Sequence, residues 1–162
     1  MAPAVTRSTL VRVMLVLAVL GLADATYLTV VHYAGLKVLC AAHGNPCETV
    51  QSSKYSFLAG IPVALIGAIG YVLIIASMLV RDSENARIAT LGLTLLGFGF
   101  SAYLTYQETF TITGHPIYCE WCVGSAIVLT ILLIMSLVRY LRAPQQADAL
   151  GPGGDPAALT EP

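Results

Sequence analysis

Long apolar runs separated by short polar segments make up residues 1–142 of the chain. Four runs are long enough to cross the hydrocarbon core of a bilayer, which takes roughly 20 residues in a helix. Lipid offers no partners to unsatisfied backbone groups, so helix is the expected conformation of each span. The short connections predict an all-α, up-down bundle of four transmembrane helices. The spans lie at about Leu10–Val31, Phe57–Val80, Ile88–Tyr106 and Ile117–Val138.

The longest polar connection, about Ala34–Ser56, is predicted to form a loop between the first two spans. It contains several residues that favour turns, namely Gly35, Gly44, Asn45 and Pro46. Asn45-Pro46 predicts a tight reversal between Cys40 and Cys47 that brings their sulfurs within disulfide range.

Composition supports an integral membrane protein. The chain has 162 residues, of which 57% are hydrophobic and 10% charged, and its mean hydropathy is +0.79. A soluble domain of this size could not bury so much apolar surface. A net charge of −1 argues against nucleic acid as a partner, because neutralising phosphates takes an excess of basic side chains.

Arginine is concentrated at one face of the predicted bundle. That face carries Arg7, Arg12, Arg81, Arg87, Arg139 and Arg142, and the other carries Lys37 and Lys54. The positive-inside rule then predicts cytoplasmic termini. Residues 143–162, rich in Pro, Gly and Ala, are predicted to form a disordered cytoplasmic tail. Both cysteine pairs would face the outer, periplasm-like side, where disulfides persist.

The first apolar run has an alternative interpretation. With its two arginines and the small-x-small sequence Ala23-Asp24-Ala25, it resembles a cleavable signal peptide. Against cleavage, the apolar stretch continues through Tyr27–Val31 to spanning length. Cleavage would also leave Cys40 on a short stub, so we expect the run to remain as a helix.

All four cysteines lie next to predicted spans, in two pairs. Cys40 and Cys47 flank the polar loop, and Cys119-Glu120-Trp121-Cys122 opens the fourth span. The positive end of a helix dipole stabilises a thiolate there. Thiolate is the attacking group in thiol–disulfide exchange. Two dithiols at one end of a bundle therefore predict electron transfer from one pair to the other.

Two other uses of the cysteines are compatible with the sequence. Zinc would require four ligands, and the spacing of Cys40 and Cys47 is long for a zinc knuckle, although His43 lies between them. Two structural disulfides would make the chain a non-enzymatic membrane protein. The spacing favours redox chemistry without a metal. The loop pair is open to a soluble thiol protein and the second pair lies at the membrane edge, so electrons would pass from the loop pair to the helix pair and on to a carrier in the bilayer.

The natural electron carrier at that edge is a quinone, whose carbonyl oxygens accept hydrogen bonds. The aromatic residues near the outer ends of the spans could line a ring-binding pocket, and they are Tyr27, Phe57, Tyr103, Tyr106, Phe110, Tyr118 and Trp121. An interfacial aromatic belt explains most of them, so two or three are expected to touch a ligand.

Three titratable side chains near the outer face are further candidates. Asp24 is the only acid well inside a span, and an intramembrane carboxylate is by default a functional candidate, although a solvated interface residue is the alternative. His32 and His43 are candidates for handling protons.

Together these features resemble the vitamin K epoxide reductase family in its short bacterial form. The resemblance covers about Leu10–Arg142. It rests on the order and spacing of Cys40…Cys47, the following Ser53, the entry Gly60-Ile61-Pro62 to the second span, and Cys119-Glu120-Trp121-Cys122. It implies a four-helix bundle around a quinone, capped by the segment that carries the loop cysteines.

The resemblance also implies roles for individual residues. Cys119 and Cys122 would be the active-site pair, with Cys122 nearest the quinone. Cys40 and Cys47 would be the shuttle pair, and we expect Cys47 to meet the partner. Ser53 would donate a hydrogen bond to a quinone carbonyl. The side chains expected to hold the quinone are Ser53, Trp121, Phe57 and Tyr103.

Partner and location follow from the same resemblance. Bacterial members are similar in role to DsbB, which points to a bacterial inner membrane, a periplasmic thioredoxin-like or DsbA-like partner, and menaquinone or ubiquinone as acceptor. DsbB-type proteins have the cysteine pairs in the reverse order. No thioredoxin-like domain lies within the chain, so we expect the partner to be another protein.

One departure from the family pattern concerns the substrate. Vertebrate members that reduce the epoxide carry a tyrosine four residues after the second active-site cysteine, where this chain has Ala126. This argues against vitamin K epoxide as the natural substrate. A quinone or epoxide reductase whose product is the quinol is the alternative enzymatic reading.

Overall fold

The computed structural model of the protein describes residues 7–40, 46–51, 53, 56–58, 60–80, 83–110 and 119–150. Within these ranges the chain forms helices and one short hairpin. In chain order the elements are α1 (Arg7–Tyr33), α2 (Pro46–Gln51), β1 (Phe57–Leu58), β2 (Ile61–Pro62), α3 (Val63–Leu79), α4 (Glu84–Phe110) and α5 (Glu120–Leu150). The prediction of an all-α membrane bundle is confirmed.

The four long helices pack as a closed ring. The main contacts run from α1 to α3, from α3 to α4, from α4 to α5, and from α5 back to α1. Three helices are long and apolar enough to span a membrane, at Thr9–Tyr33, Glu84–Gln107 and Glu120–Arg142. The fourth, α3, is apolar but has 17 residues. At 1.5 Å per residue it extends about 26 Å, slightly less than the hydrocarbon core.

The second predicted span, Phe57–Val80, is helical only from Val63. Its first residues instead form an antiparallel hairpin, in which Phe57 pairs with Pro62. Gly60 lies in the turn with φ at 81°, a left-handed conformation that glycine adopts without side-chain clashes. Pro62 caps α3 with φ at −58°, where its missing N–H costs nothing. The apolar run therefore combines a reversal with a helix.

The other helices also differ from the predicted spans at their ends. Both α1 and α4 extend beyond the predicted spans at each end. The last helix begins at Glu120 and continues to Leu150, through residues 143–150 of the segment predicted as a tail. Residues 151–162 lie outside the described part of the chain.

The bundle core is a cluster of side chains from α1, α3 and α5, with Met14 and Leu132 completely buried. Large apolar side chains cover the outside, and Leu96 and Leu79 are 73% and 70% exposed. On a soluble protein so much exposed apolar surface would promote association. On a membrane bundle this surface faces lipid.

Hydroxyl pairs join the helices inside this apolar bundle. They connect α3 with α4, α4 with α5, and α3 with α5 across the ring. The oxygen–oxygen distances are 2.8 Å for Ser77–Thr90, 2.9 Å for Thr94–Ser136 and 2.8 Å for Tyr71–Ser125. Hydroxyl contacts of this kind help hold membrane helices together.

The described arginines gather at one end of the bundle. Arg12 lies near the start of α1, Arg87 near the start of α4, and Arg139 and Arg142 late in α5. In an up-down bundle these positions share one end, and Lys37 follows α1 at the other end. Arg81 and Lys54 lie outside the described residues.

Candidate active site

The four cysteines lie at the end of the bundle opposite the arginines. Cys40 and Cys47 form a disulfide with their Cα atoms 6.3 Å apart. Cys40 lies in the irregular segment after α1, and Cys47 is in the first turn of α2. Cys119 and Cys122 carry thiols. The cap therefore brings both pairs to one end of the molecule.

The start of α5 positions the second pair. Cys119 directly precedes the helix, and its carbonyl oxygen accepts a 2.9 Å hydrogen bond from the N–H of Val123. Cys122 lies in the first turn. Both residues are at the positive end of the helix dipole, an environment that favours thiolate.

One packed cluster contains all four cysteines. Cys47 and Cys119 are buried within it with no exposed surface, whereas Cys40 and Cys122 are partly exposed and pack against it. The other buried members are Leu28, Val31, Val38 and Val50. The buried cysteine of each pair thus belongs to the same buried apolar cluster.

Two hydrogen bonds fasten the Cys40 segment to the helices. Trp121 Nε1 donates to the carbonyl oxygen of Leu39 at 2.8 Å, and the N–H of Leu39 donates to the Tyr27 hydroxyl at 3.2 Å. The Tyr27 and Trp121 rings contact each other with centroids 4.9 Å apart. Side chains of α1 and α5 therefore hold both backbone groups of the residue before Cys40.

A cavity of about 440 Å³ lies next to the cysteine cluster, lined by α1, α3, α4, α5 and the cap. Its wall is mostly apolar and includes Cys122 and Trp121. Small-molecule sites typically enclose roughly 300–1,000 Å³ with a few polar groups on apolar walls. Polar groups line this cavity near the cap and again deeper in the bundle, so a flat apolar ring with carbonyl oxygens fits its chemistry.

Of the four side chains predicted to hold a quinone, two line the cavity and two do not. Ser53 and Trp121 line the cavity. Phe57 packs edge-on against His32, which lines the cavity, with ring centroids 5.2 Å apart. Tyr103 is 52% exposed on α4 and is not part of the cavity wall. The Ser53 hydroxyl donates a 2.7 Å hydrogen bond within the cap, to the carbonyl oxygen of Val50.

The other aromatic and titratable candidates lie in different parts of the structure. Tyr27 packs on the cysteine cluster, and Asp24 lines the cavity, whereas Tyr106 and Phe110 contact each other at 5.0 Å and are exposed. Tyr118 and His43 lie outside the described residues. Across the described part of the chain, no group of three or more His, Cys, Asp or Glu side chains is placed to hold a metal ion.

Tyr71 and Ser125 are among the polar residues of the cavity wall that the sequence analysis does not identify. Tyr71 is 2% exposed, and its hydroxyl lies 2.8 Å from Ser125 Oγ. Ser125 follows Cys122 by three residues and so shares its helix face, which is a pattern that could have identified it. Tyr71 lies in an apolar run, where a buried tyrosine cannot be distinguished from a core side chain.

Comparison with known proteins adds to this geometry. Residues 12–137 match the Vitamin K epoxide reductase family. The chain belongs to this family. It is also similar to Thiol-disulfide oxidoreductase LTO1 of Arabidopsis thaliana, with 27% identity over 123 residues. The similarity covers 70% of this chain and 32% of the plant protein, so the chain spans about a third of that relative.

The match to the vitamin K epoxide reductase family extends from α1 into α5. It therefore includes both cysteine pairs, the Tyr27–Leu39–Trp121 contacts and the whole cavity wall. The resemblance inferred from the order and spacing of the cysteines is confirmed.

Proposed function

We propose that the protein is a membrane thiol–quinone oxidoreductase that supports disulfide formation. It oxidises a thioredoxin-like or DsbA-like protein and passes the electrons to a quinone of the menaquinone or ubiquinone type. The observation that carries this proposal is the packing of all four cysteines in one cluster beside a cavity lined by Cys122. Family membership and the thiol-disulfide oxidoreductase from Arabidopsis support the thiol chemistry.

The first step takes place at the loop pair. Cys40 is partly exposed and Cys47 is completely buried, so the partner's thiolate attacks Cys40 and Cys47 leaves as thiolate. The partner's second thiol then attacks the partner's sulfur atom in the mixed disulfide, which releases Cys40. The partner departs oxidised, and the loop retains two thiols. This assignment differs from the sequence-based choice of Cys47 because the fold buries Cys47.

The second step transfers the electrons within the cluster. Cys47 and Cys119 are the buried members, so Cys47 attacks a Cys119–Cys122 disulfide at Cys119 and releases the Cys122 thiolate. Cys40 then attacks Cys47, which restores the loop disulfide and leaves Cys119 and Cys122 as thiols. The structure has this combination, a loop disulfide with two thiols on α5.

The third step uses the cavity. Cys122 and Trp121 would contact the ring from the wall, and Phe57 would support His32 behind it. When bound, the quinone supplies the acceptor for two electrons and two protons. Ser53 can donate to a carbonyl oxygen only after its hydroxyl turns away from Val50. We place Tyr103 at the lipid-facing edge, where it could contact an entering ring.

The charge distribution supports an orientation. The arginine-rich end of the bundle would face the cytoplasm, together with both termini. The cysteine cluster would then face the outer side of a bacterial cell membrane. There a thiol partner can reach Cys40, and disulfides persist.

A quinone reduction assay on purified protein tests the proposal. With a reduced thioredoxin-like donor, replacing any one of the four cysteines with Ser should abolish turnover. With dithiothreitol as donor, Cys40→Ser and Cys47→Ser should still reduce quinone, because the small dithiol can reduce the α5 pair directly. Cys119→Ser and Cys122→Ser should remain inactive with either donor.

Two results would contradict the proposal. Absence of turnover in the wild-type protein, with both pairs locked as unreactive disulfides, would indicate a structural membrane protein. If Cys40→Ser and Cys47→Ser still reduced quinone with the protein donor, the partner would reach the cysteines at the start of α5 directly.

A further inference from the structure

The cavity contains a carboxyl group that the cysteine relay does not use. Asp24 lies within the first span and lines the cavity. Its Oδ1 atom is buried and has no hydrogen-bond partner among the described residues. Buried polar atoms in folded proteins nearly always have a partner, so an unpaired oxygen in a carboxyl group that borders a cavity points to a ligand there.

Asp24 belongs to a polar floor shared by three helices. The Tyr71 hydroxyl lies 2.8 Å from Ser125 Oγ. All three residues line the cavity. Gly21, one turn before Asp24, leaves the space that the Tyr71 ring fills, since a Cβ at Gly21 would collide with the ring. The floor is therefore built by close packing as well as by hydrogen bonds.

The floor lies deeper in the bundle than the cap. Ser125 follows Cys122 by three residues on α5, which places it about 4.5 Å further along the helix axis. Ser53 comes from the cap, on the other side of Cys122. An apolar wall with polar groups at two depths matches a ring that carries carbonyl oxygens on opposite sides.

We propose that Asp24 hydrogen-bonds the inner carbonyl oxygen of the quinone and donates a proton to it. The inference rests on the proposed function and adds a catalytic residue to it. Asp24 acts as the neutral acid, in which one oxygen is an O–H donor. Tyr71 and Ser125 are positioning residues that hold the floor in place.

The reaction balances with Asp24 in this role. The two S–H bonds of Cys119 and Cys122 break, an S–S bond forms, and two electrons pass to the quinone. Each carbonyl oxygen gains one proton. Asp24 gives its proton to the inner oxygen and takes up a proton released by the cysteine pair. No further oxidant or reductant is required.

The single tryptophan of the chain allows binding to be measured apart from activity. Trp121 lines the cavity, so its fluorescence should report menadione, a naphthoquinone without a long tail. Asp24→Leu should weaken menadione binding about tenfold, the usual effect of one lost hydrogen bond. Binding of 2-methylnaphthalene, which lacks the carbonyl oxygens, should stay unchanged in the same variant.

Asp24→Asn separates hydrogen bonding from proton transfer. The amide can still donate a hydrogen bond, so menadione binding should stay within about threefold of wild type. It cannot give up a proton, so menadione reduction should slow roughly 100-fold, the lower end of general acid catalysis. Asp24→Glu should recover part of the rate. An infrared band of a protonated carboxyl group should shift on menadione binding and be absent in Asp24→Asn.

The outcomes distinguish this inference from the proposed function. Wild-type turnover with unchanged rates in Asp24→Asn, or unchanged menadione affinity in Asp24→Leu, would overturn the role of Asp24. If the wild-type protein reduces no quinone, the proposed function fails, and the two binding titrations still decide whether Asp24 contacts a carbonyl oxygen. Equal weakening of menadione and 2-methylnaphthalene would show a packing defect and also overturn the inference.

Discussion

The indole nitrogen of Trp121 donates a 2.8 Å hydrogen bond to the carbonyl oxygen of Leu39, the residue directly before Cys40. Trp121 lies between Cys119 and Cys122 in the sequence, so one side chain connects the two cysteine pairs. Tyr27 holds the N–H of the same residue from α1. The loop disulfide is therefore positioned by a residue inside the other pair.

Removing the indole N–H should slow transfer between the pairs. Trp121→Phe keeps an aromatic ring against Tyr27 but loses the hydrogen bond to Leu39. We expect electron transfer from the loop pair to the α5 pair to slow about fivefold, since one such bond contributes roughly 1 kcal/mol. Rapid quenching with an alkylating reagent, followed by mass spectrometry of the four thiols, measures the rate.

Two further variants serve as a comparison for that experiment. Tyr27→Phe removes the acceptor of the Leu39 N–H and should slow the same step. Tyr140→Phe changes an exposed tyrosine at the opposite end of the bundle and should leave the rate unchanged. Normal transfer in both Trp121→Phe and Tyr27→Phe would show that these bonds do not position the loop.

A trapped complex should identify the cysteine that meets the partner. A thioredoxin-like partner without its second cysteine cannot resolve the mixed disulfide. We expect it to be joined to Cys40, because Cys47 is completely buried. Peptide mass spectrometry of the complex locates the bond, and a partner without either cysteine is the control. A bond to Cys47 would reverse the order of the first step.

Gly21→Ala should disturb both stability and the cavity floor. The added methyl group would collide with the Tyr71 ring, and overpacking of this kind typically costs about 1–3 kcal/mol. Gly92→Ala is the matched control, since nothing lies within 4 Å of a Cβ there, and it should stabilise α4 by up to about 1 kcal/mol. Thermal unfolding in detergent compares them. Equal melting temperatures for the two variants would contradict the packing argument.

The hydroxyl pair between α4 and α5 should contribute modestly to stability. Thr94 and Ser136 are buried, with their oxygens 2.9 Å apart. A double-mutant cycle with Thr94→Val and Ser136→Ala should give a coupling of about 0.6 kcal/mol, the average for such pairs in membrane helices. Unfolding in sodium dodecyl sulfate measures the stability of the wild type, the two single variants and the double variant. A coupling near zero would show that each hydroxyl is satisfied by its own helix backbone.

Hydropathy and charge predict most of the fold. The runs around Leu10–Val31 and Ile88–Tyr106 are helices because apolar backbone in lipid has no other way to satisfy its hydrogen bonds. The hairpin at Phe57–Pro62 was missed because its residues are as apolar as a span. The sequence Gly60-Ile61-Pro62 indicates this turn, because Gly60 has a left-handed φ and proline is favourable at the start of a helix.

The site was partly predictable for a similar reason. Cysteine spacing predicts two pairs, and Asn45-Pro46 predicts that the loop can close. Spacing cannot show that Cys47 is buried and Cys40 is not, because burial depends on how the cap packs on α1 and α5. It also cannot reveal Tyr71, whose hydroxyl meets Ser125 only after α3 and α5 face each other across the ring.

The complete burial of Cys47 and Cys119 affects which side reactions the protein can undergo. Peroxide converts accessible thiolates to sulfinic and sulfonic acids, and those products are largely irreversible. A sulfur without exposed surface is shielded from dissolved peroxide and can react mainly with the neighbours that the fold supplies. The packing of the cap on the helices thus shields both sulfur atoms from irreversible oxidation.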